Sequence, residues 1–140
     1  MLTDVSKAKA LLSQENCTCV LCRGESVFLS HQRGVRPLLD FWESRNDFRG
    51  YSAADKVVGK ATAFLYCLLG ITTLHAQVLS QPAKLVLEDQ GIAFTCDCLV
   101  EGIRNRDNTG PCPMEKATCH CATAQQALTA IGQTLKDLQK

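Results

Sequence analysis

Apolar and polar positions change period several times along the chain. From Asp4 to Ser13, Val5, Ala8, Leu11 and Leu12 fall on one face at helical spacing, and Thr3 or Asp4 can cap the start. Cys17 to Cys22 and Glu25 to Ser30 are short runs that read as strands. Arg23-Gly24 between them suits a two-residue hairpin, with glycine taking the positive φ. His31 to Arg36 is a basic loop, and Pro37 opens a short helix from Leu38 to Ser44 that carries the only tryptophan.

The next segment, Ala53 to Leu69, is apolar almost all round and predicts an interior helix. Ser52 is its expected cap, with Asp55 as the capping-box partner, and Gly70 its stop. Thr72 to Leu79 alternates as a strand. Ser80 caps the helix that follows, Pro82 sits in its first turn, and Gly91 ends it. Ile92 to Leu99 is another strand, with Ile92, Phe94, Cys96 and Cys98 expected on one face. This strand–helix–strand run predicts a parallel, right-handed unit.

Asn105 to Pro111 is a turn-rich loop, and Ala124, Leu128, Ile131, Leu135 and Leu138 form a helical stripe in the tail. The expectation is one domain over residues 1–140, an α/β fold built as a three-layer α/β/α sandwich. Its mixed sheet should have four or five strands, the four-stranded order being 2-1-3-4. The helices Ala53 to Leu69 and Ser80 to Gln90 should lie on the same face.

Composition narrows the function classes. The 140 residues are 46% hydrophobic and 21% charged, which excludes a disordered or collagen-like chain. Fifteen Lys and Arg balance 14 Asp and Glu, so the basic excess of a nucleic-acid-binding protein is missing. The start of the chain lacks the pattern of a signal peptide. The most apolar run, Val57 to Ile71, contains Gly59 and Lys60 and is too short to span a bilayer. A cytoplasmic protein is expected, and its nine cysteines then read as buried or reactive thiols rather than disulfides.

Three segments, AADKVVGKATAFL, VLSQPAKLVLEDQGI and NRDNTGPCPMEK, together resemble a small prokaryotic family, domain of unknown function 1893, placed in the cytidine deaminase-like superfamily. The resemblance covers nearly the whole chain. It implies a deaminase-like sheet with helices on both faces, and no known activity. Active zinc deaminases place His- or Cys-x-Glu at the start of a buried helix and Pro-Cys-x-x-Cys at the start of the next. The matching slots are Ala53, Asp55, Ala83 and Val86, which leave all three zinc ligands missing. Zinc-dependent deamination, a resident metal and any other cofactor are therefore not expected.

The remaining cysteines do not rebuild a zinc site. Cys17 and Cys19 are expected on one strand face, as are Cys96 and Cys98. Cys19 and Cys22 face opposite sides, and Cys119 and Cys121, on a helix, diverge by about 160°.

Chemistry concentrates instead on Cys112. With Pro113 as first helical residue, Cys112 is the N-cap, where free backbone N–H groups favour a thiolate. It should then alkylate faster than the strand thiols. The bland alternative is a plain helix start completed by Glu115. The preceding loop, with Asn105, Arg106 and Gly110, is a candidate anion cradle. Asp55, Lys60 and Ser80 complete the candidate ligand-binding set, and Arg33, Gly34 and Arg36 add a second basic edge.

The leading expectation is a zinc-free protein that binds a small anionic or nucleotide-like ligand near Cys112. The alternatives are a thiol enzyme with Cys112 as nucleophile, or a structural, partner-binding protein. No nucleic-acid polymer or membrane is expected as a partner; a homodimer stays open.

Overall fold

The computed structural model describes residues 3–105 and 107–138. Helix α1 (Asp4–Gln14) starts as expected: Thr3 Oγ1 accepts the Ser6 N–H. It leads into an antiparallel hairpin of β1 (Cys19–Arg23) and β2 (Ser26–Ser30). Arg23 pairs with Ser26, so the two turn residues are Gly24 and Glu25, one position later than expected. Gly24 takes φ +59. Helix α2 (Arg36–Glu43) follows, with Pro37 in its first turn.

The largest departure from expectation lies between Ser52 and Leu69. The predicted single helix is instead strand β3 (Ser52–Val58) followed by helix α3 (Lys60–Leu69), with Gly59 between them as N-cap. Ser52 is therefore no helix cap, and Asp55 is no capping-box partner. β3 lies between β1 and β4 and is covered on both faces. Ala53 joins the cluster that includes α3, and Ala54 joins the cluster beneath α1.

Beyond α3, β4 (Thr73–Ser80), α4 (Gln81–Asp89) and β5 (Ala93–Val100) form the expected parallel unit. β3 pairs in parallel with β4 as well, so the chain makes two such crossovers in succession. The sheet has five mixed strands in the order β2-β1-β3-β4-β5, replacing the four-stranded order.

Helices α3 and α4 do share a face. They pack against each other in the main core, together with α2 and the closing helix α6 (Ala124–Leu138). Helix α1 packs on a separate cluster of Ala8, Leu12, Cys17, Val20, Cys22 and Ala54. Cys17 and Cys19 accordingly belong to different cores. Residue 18 precedes the strand proper, so the alternation that would align them does not yet apply. Cys19 and Cys22 do separate to the two clusters.

A short helix α5 (Pro113–Thr118) precedes α6, with Cys119 at its C-cap and Cys121 in the connection. These two thiols are thus not on a helix, and the divergence expected for them has no basis. None of the helices among the described residues is long and apolar enough to cross a membrane.

Candidate ligand site at the ends of the parallel strands

In sheets with parallel strands, ligands bind outside the carboxyl ends of those strands, where the following helices begin. β3 ends there at Val58, and Gly59-Lys60 starts α3. The backbone at Gly59 is extended, with φ −97 and ψ −177, so its requirement for glycine is space. A Cβ there would collide with Oε1 of Glu115. Glu115 arrives from α5, and its Oε1 accepts the Lys60 backbone N–H. A carboxylate placed 55 residues away in sequence thereby caps α3 and meets the positive end of its dipole.

The Lys60 side chain makes a second tie to α5, its Nζ donating to the Cys119 carbonyl at 3.0 Å. That ammonium also lies 5.9 Å from the centroid of the Phe64 ring. Burial pushes the Glu115 carboxyl up, opposed by the Lys60 N–H and the Lys60 charge. The DKVVGK and GPCPMEK blocks therefore meet in space, through Gly59, Lys60 and Glu115.

Asp55 takes a different role. It faces α3 from β3, where Tyr66 Oη donates to its Oδ2 at 2.6 Å and the Val57 N–H donates to its Oδ1 at 3.2 Å. Cys19 Sγ lies 3.2 Å from the same Tyr66 hydroxyl. Burial raises the Asp55 carboxyl to about 7, against the lowering effect of those hydrogen bonds. Cys19 and Tyr66 are both pushed well above their ordinary values, again first by burial. Proton affinity in this cluster is set by the interior, because desolvation disfavours each charged form.

Ser80 is fully buried, and its Oγ accepts the Ala83 N–H, so its hydroxyl serves as the cap of α4. Asn105 Oδ1 accepts the Thr109 N–H and its Nδ2 donates to Thr109 Oγ1, while the Asn105 N–H donates to the Gly110 carbonyl. The loop thus satisfies these groups internally. Arg106 lies outside the described residues. Cys112 is the N-cap of α5, half-buried, with no hydrogen bond from its side chain to the helix. Its N–H donates to the Ile103 carbonyl. Glu115 completes the start of α3 rather than that of its own helix.

A groove of about 240 Å³ opens beside Lys60, lined by Phe64, Pro82, Leu85, Val86 and Cys121, with Asp89 also on its wall. Among the described residues of the sequence-derived set, only Lys60 reaches it. The other lining residues escaped sequence reading because an apolar α3/α4 surface has the same pattern whether neighbouring helices close over it or leave a gap. Among the described residues, no group of three or more His, Cys, Asp or Glu is arranged to hold a metal ion.

Comparison with known proteins supplies a family. No curated protein matches the sequence. The fold is similar to the crystal structure of a DUF1893 family protein (TM1506) from Thermotoga maritima, at 22% identity and a TM-score of 0.86. The match covers 95% of this chain and 91% of that one. Residues 7–135 match the family described as TM1506, domain of unknown function (DUF1893), and with that span matched the chain belongs to this family.

Proposed function

We propose that the protein is a zinc-free binding module of deaminase-like, three-layer α/β/α architecture. It takes a small anionic or nucleotide-like ligand in the groove beside Lys60, next to the segment that Cys112 opens. The observation that carries this reading is the groove itself: it opens at Lys60 and Pro82, beyond the ends of the parallel strands, runs along α4 to Asp89, and has the Lys60 ammonium at its mouth with walls that are apolar apart from Asp89. Lys60 uses one of its three donors on the Cys119 carbonyl, which leaves two for an anion. Leu85, which is largely exposed, and the half-buried Pro82 offer apolar surface to a ring.

Topology supports the zinc-free part of the proposal. The first helix after the hairpin begins Val35-Arg36-Pro37, and the next begins Gly59-Lys60-Ala61. Neither start carries a His, Cys or Glu. The slots earlier assigned to Ala53 and Asp55 fall inside β3. Nine free thiols suit a reducing compartment, which supports a cytoplasmic location.

Calorimetric titration of the full chain with adenosine monophosphate and with orthophosphate tests the reading. Saturable binding should weaken about tenfold in Lys60→Gln, with the monophosphate ester the tighter of the two. Failure of both ligands to bind at millimolar concentration, or equal binding by Lys60→Gln, contradicts it. Alkylation mapping on the same samples separates the alternative. Labelling of Cys112 ahead of the exposed Cys98 and Cys119 would favour a thiol enzyme.

A further inference from the structure

A second groove, of about 190 Å³, lies between the β2–α2 connection and the α5/α6 pair. Among the described residues, Arg33 and Arg36 are the only charged ones lining it; Val35, Met114, Leu135 and Leu138 bring hydrocarbon. Gly34, at φ +66, makes the left-handed turn that sets the two arginines on either side of the entry to α2. The N-cap there is Val35, which has no side-chain oxygen, so the first N–H groups of α2 receive no side-chain partner. Arg36 has one distant carboxylate neighbour, Asp40 at 3.8 Å along the same helix. Leu138 is 60% exposed at the apolar end.

Two guanidinium groups, with no carboxylate among the described lining residues, select an anion, and their planar forks suit a carboxylate or phosphate head. The rest of the lining is aliphatic. Among the described residues it contains no aromatic face on which to stack a base and no acid to accept a sugar hydroxyl. The volume is below the roughly 300 Å³ at which drug-sized pockets begin. At about 30 Å³ per small group it holds about six groups.

We infer that this groove binds a short-chain aliphatic anion. The carboxylate or phosphate head lies at the open mouth of the groove against Arg33 and Arg36, and a tail of up to about six carbons fills the groove against Met114, Leu135 and Leu138. This site is separate from the Lys60 groove, and neither proposal depends on the other.

Amide chemical-shift titration of the isotope-labelled full chain tests it, with hexanoate, hexyl phosphate, orthophosphate and hexylamine as probes. Hexanoate or hexyl phosphate should shift Gly34, Val35 and Met114 saturably, and comparison of the two identifies the preferred head. Orthophosphate should bind about tenfold more weakly than hexyl phosphate, and hexylamine should leave these residues unmoved. The double substitution Arg33→Gln/Arg36→Gln, at an exposed and a half-buried position, should weaken binding of the better ligand at least about tenfold. Leu138→Ser should weaken it severalfold while leaving orthophosphate unaffected. Thermal melts of each variant establish that the fold is kept.

Shifts by hexylamine at the same residues, undiminished binding by the folded double variant, or equal affinity for orthophosphate and hexyl phosphate would overturn the assignment. So would shifts confined to the Lys60 groove.

Discussion

Helices α3 and α4 are the two crossovers of one parallel run, yet their beginnings are built differently. α4 closes on itself: Ser80 Oγ takes the Ala83 N–H three residues on, at a fully buried position. α3 has glycine at the same place, and its partner is Glu115 from another helix. The polar interior beneath α3 is likewise shared, since Tyr66 bridges Asp55 of β3 and Cys19 of β1. A local cap makes a helix start that forms with its own segment. A distant cap makes one that depends on α5 being docked. The α3 start therefore couples the C-terminal third of the chain to the sheet, and the Lys60 groove lies at that joint.

The largest effect should come from the shared interior. Asp55 titrates at about 7 in the folded chain against an ordinary 3.8, so the folded state holds the proton more tightly. Stability from this group is complete below about pH 4 and is lost as pH rises through 7, a loss on the order of 4 kcal/mol. Glu115, also raised by burial, adds a loss of the same sign. Urea melts between pH 5 and pH 8 should show wild type weakening. Asp55→Asn should be flatter by most of that amount, and equal slopes would mean that Asp55 ionises freely in the fold.

Next in size is Gly59→Ala, whose methyl group must displace Glu115. Glu115 can swing away, so the cost is chiefly the loss of the cap with some crowding against Ile103, about 2 kcal/mol of destabilisation. The same substitution at Gly132, where nothing lies within 4 Å, should be neutral or slightly stabilising. Indistinguishable melts would remove the steric case for glycine at position 59.

Smaller still is the direct comparison of caps. Ser80→Ala should destabilise by about 1 kcal/mol, and Glu115→Ala by about 2 kcal/mol, because a charged acceptor is lost at a buried helix start. The two should also differ in reach. Proteolysis of Glu115→Ala should begin in α5, whereas Ser80→Ala should show no preference for that segment. Identical cleavage patterns would mean that α5 is held mainly by its apolar contacts.

Sequence pattern revealed α1, the hairpin, α2 and the β4–α4–β5 unit because each has a local period and a local boundary residue. Thr3, Gly24, Pro37 and Ser80 mark them, although the hairpin turn is displaced by one position. β3 escaped for a physical reason. A central strand covered on both faces loses its alternation, and Ala53 and Ala54 are small where helices cross above and below. Alanine also favours a helix, so the segment merged with α3. The pair Val57-Val58 before Gly59 was the available clue, β-branched residues followed by a break.

The site was legible only in part. Lys60 was conspicuous as a charge on an apolar helix. Its link to Glu115 spans 55 residues, and no spacing rule connects them. Cys112 was correctly placed as an N-cap, yet the helix it opens has only six residues. Ser80 and Asp55 were conspicuous for their polarity, and the structure assigns their hydrogen bonds to a cap and to a buried hydroxyl.

Amide hydrogen exchange at Lys60 tests the joint between α3, α5 and the groove most directly. Its N–H is held by a carboxylate that α5 brings, so its protection depends on that helix, whereas the Ala83 N–H is held by Ser80 of its own segment. With saturating adenosine monophosphate, the account predicts slower exchange at Lys60 and an unchanged rate at Ala83. Equal slowing at both amides, or none at Lys60 in a sample shown to bind the ligand, would contradict it.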